Sequence, residues 1–216
     1  MSTFTAQRLN MIDAQVRTND VTDPRIHSAM GEVARERFVP AAKRALAYAD
    51  VPVEVAPGRY LLDPRTFAKL VALAEVQPGD AVLDVGCATG YSSAVLARLA
   101  RSVIALEEDA DLVRIASELL PATVGAPVVT QGALNQGFRA KAPYDVVFVN
   151  GAIAEPPANL LAQLAEGGRL VTVMSEGVRS QAVRFIREQG RIGRWTGFDA
   201  GVPALVGFSK TVGFVF

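Results

Sequence analysis

An apolar run ends in an acid, and two glycines follow it four residues apart, in residues 84–90 (DVGCATG). Glycine has no Cβ, so it tolerates the backbone angles of an abrupt strand-to-helix turn and lets a ligand lie against the main chain. Open α/β sheets bind ligands at such turns, beyond the carboxyl ends of parallel strands. The glycines indicate a ligand site, although a tight turn without a ligand also accounts for them.

A second acid, Glu107, ends the next apolar run, 23 positions after Asp84. An acid about 20 residues beyond a glycine turn accepts hydrogen bonds from the hydroxyls of a ribose. The other explanation, an acid attracted to a helix N-terminus, suits Glu108 and Asp109 better. The turn has neither the Gly-Lys-Ser/Thr of a phosphate loop nor the G-x-G-x-x-G of a dinucleotide site. A nucleoside without a pyrophosphate fits best, which indicates S-adenosyl-L-methionine.

The composition bounds the other partners. Because 22 basic side chains balance 22 acidic ones, we expect no general nucleic-acid or membrane-surface binding, which relies on excess basic charge. The single cysteine and single histidine predict neither an internal disulfide nor a metal site. No apolar run reaches the roughly 18 residues of a transmembrane helix, and the first ten residues lack a signal-peptide core. We therefore expect a cytoplasmic protein.

These acids and glycines must be positioned by a sheet. Five short Val-, Ile- and Leu-rich runs predict strands buried on both faces, at residues 82–85, 103–106, 127–130, 146–149 and 170–174. Helical patterns lie between them, at residues 91–100, 109–120 and 157–165. Strand alternating with helix predicts the α/β class, with a doubly wound, mostly parallel, Rossmann-like sheet.

The flanks of this alternating region read differently. Residues 5–16, 23–31 and 64–74 predict helices, the second beginning with an Asp-Pro cap. We divide the chain into an N-terminal helical lobe with a substrate loop, residues 1–78, and a cofactor-binding Rossmann-like domain, residues 79–216. The apolar tail after Gly190 predicts antiparallel strands at the C-terminal edge of the sheet. Its last residues, 212–216, suit an edge strand or a contact surface.

The first motif, residues 82–91, resembles that of Rossmann-like methyltransferases. Six further stretches narrow the likeness to the protein-L-isoaspartate O-methyltransferases, namely residues 11–17, 29–30, 37–40, 47–50, 145–152 and 166–171. The likeness runs from about residue 8 to 175. It implies a methyltransferase that uses S-adenosyl-L-methionine and acts on a protein or peptide substrate through an isoaspartyl-like carboxylate.

The resemblance also implies which residues hold the cofactor: the glycine turn, the acid that meets the ribose, and the stretch after the third strand. The candidates are Asp84, Gly86, Cys87, Ala88, Thr89, Gly90, Tyr91, Ser92, Glu107, Glu108, Gln131, Gly132, Ala133 and Asn150. In the family an acid occupies the position of Gln131 and accepts a hydrogen bond from the adenine amine. The amide oxygen of Gln131 is able to accept the same bond.

The substrate loop, residues 58–65 (GRYLLDPR), departs from the family pattern, and its candidates are Arg59, Tyr60, Leu62, Asp63 and Arg65. The family has a threonine where this chain has Tyr60, a serine that meets the substrate carboxylate where it has Leu62, and an aromatic residue or histidine where it has Arg65. A leucine offers no hydrogen bond, and an ionised group placed against it without another partner costs several kcal/mol.

Two interpretations of the loop stay open. In one, Arg59 or Arg65 grips the substrate carboxylate with two parallel hydrogen bonds. In the other, the chain methylates a different substrate, such as a small molecule or a nucleic acid, or binds S-adenosyl-L-methionine without catalysis. Both arginines also fit a solvated surface. The oligomeric state, monomer or homodimer, is left open by the sequence.

Methyl transfer to a carboxylate needs no general base, because the acceptor is already ionised at neutral pH. Alignment of the reacting atoms and exclusion of water supply the catalysis instead. In keeping with this, His27 lies in a predicted lobe helix, where we expect a structural role. We expect Cys87 to fill space beside the cofactor.

Overall fold

The computed structural model describes residues 3–122 and 125–208. Nine strands occur in the described chain: β1 Val53–Ala56, β2 Arg59–Leu61, β3 Ala81–Val85, β4 Ser102–Glu107, β5 Val128–Gln131, β6 Tyr144–Ile153, β7 Leu164–Glu176, β8 Arg179–Glu188 and β9 Arg191–Asp199. Seven of them form one sheet in the order β5-β4-β3-β6-β7-β8-β9. The pairs from β5 to β7 are parallel, whereas β8 and β9 are antiparallel.

Six α-helices accompany the strands in the described chain: α1 Thr3–Met11, α2 Pro24–Glu32, α3 Pro64–Ala74, α4 Tyr91–Leu96, α5 Ala110–Leu119 and α6 Ala158–Leu161. A π-helical turn, Ile12–Val16, continues α1. The short 3-10 helices are Arg17–Asn19, Arg35–Arg37, Ala41–Leu46, Leu120–Ala122, Leu134–Gln136 and Arg139–Lys141. None of the helices in the described ranges is long and apolar enough to cross a membrane.

The sheet separates two apolar layers, and alternate side chains of one strand enter different layers. Along β6, Val146 and Phe148 pack against the lobe helices, whereas Val147 and Val149 belong to the opposite layer. All four side chains are fully buried. This confirms the predicted α/β class with a mostly parallel sheet, because only strands covered on both faces carry such unbroken apolar runs.

The N-terminal lobe is less purely helical than its sequence predicts. Strands β1 and β2 form an antiparallel hairpin within it, with Val53 opposite Leu61. The lobe also shares a single apolar layer with the sheet, which extends from Met11 in the lobe to Ala200 after β9. The division at residue 78 therefore stays a prediction, because both parts contribute to the same core.

Two helices are shorter than predicted. The segment 157–165 is helical only over Ala158–Leu161, because Leu164 already pairs with Tyr144 as β7 begins. The segment 91–100 is α-helical only as far as Leu96. The predicted antiparallel structure after Gly190 is confirmed by β9 at the edge of the sheet, whereas β8, which precedes Gly190, was not predicted. Residues 212–216 lie outside the described residues.

Candidate functional site

The glycine turn leaves β3 at the point where the sheet reverses its winding, since β4 lies on one side of β3 and β6 on the other. Gly86 and Gly90 have φ angles of +74° and +99°, and Ala88 between them has +51°. The backbone N–H groups of Gly86 and Cys87 donate to the carbonyl of Leu106. The predicted tight turn is thus confirmed, with three residues at positive φ. It lies at a topological switch point of the sheet, where open α/β sheets bind their ligands.

Asp84 lies under this turn and is fully buried. Its Oδ2 accepts from the hydroxyls of Ser92 at 2.6 Å and Ser93 at 2.5 Å, and its Oδ1 accepts from Nδ2 of Asn150 at 2.5 Å. Burial raises the pKa of Asp84 to about 6, against the opposing effect of these three donors. The network joins β3, α4 and β6 into one polar cluster beneath the turn.

Glu107 ends β4 beside the turn, and its side chain is fully buried too. Its Oε1 accepts from the backbone N–H groups of Glu108 and Asp109 at 2.9 and 3.2 Å. Its Oε2 accepts from the N–H of Ala88 at 2.8 Å and from Nη2 of Arg59 at 2.5 Å. Burial raises the pKa of this carboxyl, and the positive charge of Arg59 opposes the rise. A guanidinium therefore lies where the sequence predicts a ribose.

The end of β5 completes this edge of the sheet. Gln131 is opposite Glu107 in the parallel register, and its Nε2 donates to the carbonyl of Glu108 at 3.3 Å. The N–H of Gly132 donates to the carbonyl of Glu107 at 3.0 Å. Gln131 and Ala133 are exposed. All predicted cofactor residues thus come to the same edge of the sheet; their role in binding stays a prediction.

The lobe closes the turn from the other side, and one residue in this contact was missed by the sequence analysis. Arg35 is fully buried with its guanidinium 4.6 Å above the ring of Tyr91. Its Nη2 donates to the carbonyl of Leu62 at 2.6 Å. Thr89 likewise donates from its hydroxyl to the carbonyl of Phe38 at 2.6 Å. Cys87 is buried, and this burial raises the pKa of its thiol well above the ordinary value.

The substrate loop is divided between the interior and the surface. Arg59 is only 5% exposed, so the interpretation of this residue as solvated surface is wrong. Leu62 is buried as well, while the buried carboxylate of Asp63 caps α3 by accepting from the N–H of Thr66 at 2.8 Å. Tyr60 is half-buried.

Arg65 remains at the surface of the loop. Its Nη2 lies 3.7 Å from a carboxylate oxygen of Asp50, and both side chains are well exposed. Arg65 and Lys69 line an open cavity of about 320 Å³ together with Asp63 and Phe198. His27, by contrast, contacts the carbonyl of Val21 through Nε2 at 2.7 Å, in the predicted lobe helix.

A second residue missed by the sequence analysis is Leu205, which lies directly over the turn. A Cβ built on Gly86 would lie 2.9 Å from Cδ1 of Leu205 and 3.3 Å from Nη2 of Arg59. Leu205 is 5% exposed and packs with Leu83, Val85 and Leu106 in the apolar layer on that side of the sheet. In this conformation the side chains of Leu205 and Arg59 therefore occupy the space directly above Gly86.

The parallel sheet, the turn at its switch point and the acid at the tip of β4 define a Rossmann-like methyltransferase fold. Two solved structures share it, each with a TM-score of 0.80 and 22% identity. One, described as a protein-L-isoaspartate O-methyltransferase, aligns with 94% of this chain and 67% of its own. The other, a Plasmodium falciparum structure described as such a methyltransferase in complex with S-adenosyl-L-homocysteine, aligns with 96% of this chain and 100% of its own.

Sequence comparison identifies the family. The protein-L-isoaspartate (D-aspartate) O-methyltransferase profile matches residues 6–194. A protein-L-isoaspartate O-methyltransferase from Koribacter versatilis is 36% identical over 94% of this chain and 92% of its own length. One from a Synechococcus strain is 39% identical over 80% of this chain and 71% of its own. The chain belongs to the protein-L-isoaspartate (D-aspartate) O-methyltransferase family, a family of S-adenosylmethionine-dependent enzymes, as its motifs predict.

Proposed function

We propose that this chain is an S-adenosyl-L-methionine-dependent methyltransferase that acts on isoaspartyl carboxylates of proteins and peptides. The observation that carries the proposal is the arrangement of the strained turn after β3 beside the buried acid Glu107, at the switch point of a parallel sheet. Ligands of open α/β sheets bind at that point. The protein-L-isoaspartate O-methyltransferases among its relatives, which match most of its length, support the reaction class.

The residues assigned to the cofactor are those of the turn and its neighbours. Asp84, Glu107, Glu108 and Asn150 supply carboxylate and amide groups, and the stretches 86–92 and 131–133 supply backbone and small side chains. Because Arg59 and Leu205 take the space above the turn, this conformation is not the one that binds the methyl donor. We therefore assign the described conformation to a closed state, which we define as the state in which Arg59 and Leu205 keep the methyl donor out.

On the substrate side, Arg65 is the remaining candidate for the carboxylate. Arg59 is committed to Glu107, and the hydroxyl of the family's serine is replaced by the buried Leu62. The guanidinium of Arg65 is exposed and lines the open cavity at the start of α3, where Lys69 adds a second positive charge. A planar guanidinium is well suited to two parallel hydrogen bonds with a carboxylate.

The test is transfer of a labelled methyl group from S-adenosyl-L-methionine to a peptide that contains one isoaspartyl residue. The matched control peptide carries ordinary aspartate at the same position. We expect label in the isoaspartyl peptide, released by mild base as expected of a methyl ester, and less label with Arg65→Gln. Equal labelling of both peptides would exclude selectivity for isoaspartyl groups, and labelling of neither would exclude isoaspartyl methylation.

As a second candidate, the chain has this fold and binds the cofactor but does not methylate isoaspartyl groups. One observation favours it: Leu62 is buried, and its carbonyl is already bound to Arg35, so this position offers nothing to a carboxylate. Binding of S-adenosyl-L-homocysteine without methyl transfer to any isoaspartyl peptide would support this candidate.

We also propose the cytoplasm as the compartment, on the basis of the lone, buried Cys87.

A further inference from the structure

Residues 202–208, here called the strap, cross the carboxyl edge of the sheet after β9. The strap pairs with the end of β6, since the N–H of Ala152 donates to the carbonyl of Pro203 at 2.9 Å and the N–H of Leu205 donates to the carbonyl of Ala152 at 2.8 Å. Further along, Nδ2 of Asn135 donates to the carbonyl of Gly207 at 3.1 Å. The strap is therefore held over the tips of the strands by hydrogen bonds at both of its ends.

The strap inserts one side chain into the concavity of the turn. Leu205 contacts the positions above both Gly86 and Gly151, where a Cβ would come within 2.9 Å of its side chain. Val206, the next residue, is 49% exposed, and a Cβ built on Gly58 of the substrate loop would lie 3.9 Å from its Cγ2. Leu205 thus fills the volume over the turn, and its neighbour provides a natural control for any substitution in the strap.

Arg59 blocks the same space from the substrate loop. Its ion pair with Glu107 has side-chain exposures of 5% and 0%, so solvent and salt screen it much less than an exposed pair. The pair is nonetheless incomplete, because Nη1 of Arg59 is buried without a hydrogen-bond partner in the part of the chain that the structure describes. A buried donor without a partner is unfavourable, so the guanidinium of Arg59 is not fully satisfied in the closed arrangement.

We propose that Arg59 and Leu205 form an intramolecular lock, so that S-adenosyl-L-methionine binds only when the strap and the substrate loop move off the turn. The inference rests on the proposed function and adds a regulatory element to the same site. Anything that displaces the strap, such as a substrate protein that binds beside it, then raises the affinity for the donor. The apparent dissociation constant exceeds the intrinsic one by the inverse of the open fraction.

Calorimetric titration of the full chain with S-adenosyl-L-homocysteine tests the lock without any turnover. We expect Arg59→Gln and Leu205→Ala each to tighten binding at least tenfold. The matched controls are Val206→Ala in the strap and Arg101→Gln at an exposed residue just before β4, at the amino ends of the strands. Both should bind as the unchanged chain does. Equal affinity in all five proteins would overturn the lock.

Hydrogen exchange of the unchanged chain gives an independent test that does not depend on a variant's folding. In the closed state the amide of Leu205 is hydrogen-bonded to Ala152, so saturating S-adenosyl-L-homocysteine should accelerate its exchange at least tenfold. Unchanged or slower exchange would contradict displacement of the strap. The two proposals fail separately: methyl transfer without any change in the strap removes the lock, whereas faster exchange without transfer to isoaspartyl peptides removes the proposed reaction.

Discussion

Two regions of the candidate site have opposite relations to the family pattern. At the carboxyl edge of β3 and β4, the buried acids Asp84 and Glu107 each accept several hydrogen bonds, and the turn keeps its strained geometry. Across the turn, Arg59 of the substrate loop and Leu205 of the strap fill the space, and the buried Leu62 stands where the family has a serine. The backbone geometry of the ligand site and the free space that a ligand needs are therefore determined by different parts of this chain.

The largest expected effect concerns the ion pair that joins the two regions. Glu107→Ala should lower the free energy of unfolding by about 4 kcal/mol, because it leaves the buried guanidinium of Arg59 without its partner. Denaturant unfolding measures the loss. The paired variant Arg59→Met with Glu107→Leu should recover much of it, since neither charge then remains buried. Additive losses in the pair would mean that the two residues are not coupled.

The next largest effect is expected for a substitution in the substrate loop. Leu62→Ser should lower the free energy of unfolding by about 3 kcal/mol, as expected for a truncated buried leucine. It should also raise isoaspartyl methylation at least tenfold, because it restores a hydroxyl at the position of the family's serine. Leu62→Ala is the matched control, with the same loss of stability and no gain in rate. If the unchanged chain already turns over as fast as Leu62→Ser, the leucine does not limit the reaction.

The raised pKa of Asp84 in β3 should make the free energy of unfolding depend on pH. The pKa of Asp84 is raised to about 6 in the folded chain from an ordinary 3.8, so the folded state holds this proton more tightly than the unfolded state. The stabilisation that the proton confers is present at low pH and is lost as the pH rises through that window. Relative to Asp84→Asn, the unchanged chain should lose about 2–3 kcal/mol between pH 4 and pH 7.

Unfolding curves of the two proteins at matched pH values measure this difference. Asp13→Asn, at an exposed acid, serves as the control and should follow the unchanged chain. A constant difference between Asp84→Asn and the unchanged chain at every pH would show that Asp84 has the same pKa in the folded and unfolded states.

The smallest effect separates structure from substrate binding within the loop. Asp63→Ala should cost about 1 kcal/mol of unfolding free energy by removing the N-terminal cap of α3. Its Michaelis constant for an isoaspartyl peptide should stay unchanged. Asp23→Ala removes the more exposed cap of α2 and should cost less. A rise in the Michaelis constant with Asp63→Ala would return this residue to the substrate site.

Local patterns account for most of the framework but not for the lock. The bounds of α3 agree with the prediction because the Asp-Pro cap and the apolar spacing are local signals. The hairpin of β1 and β2 was missed because each strand is at most four residues long and lacks a long apolar run. The pairing of Arg59 with Glu107 spans 48 positions, and no local pattern indicates such a contact.

Arg35 and Leu205 were missed for related reasons. Arg35 stands among charged neighbours in an Arg-Glu-Arg stretch, which reads as surface, yet its guanidinium lies on an aromatic ring. Leu205 belongs to a short apolar stretch of the tail, Val-Pro-Ala-Leu-Val. That stretch was a usable signal, but an edge strand and a strap over the sheet have the same composition.

The contact between the strap and β6 depends on Gly151, whose missing side chain lets Leu205 and the carbonyl of Pro203 approach the strand. Any larger residue there would act as a wedge beneath the strap, without altering a group that is proposed to touch the donor. A Gly151→Ala substitution, which adds one methyl group at the end of β6, would therefore change how readily the methyl donor enters the site.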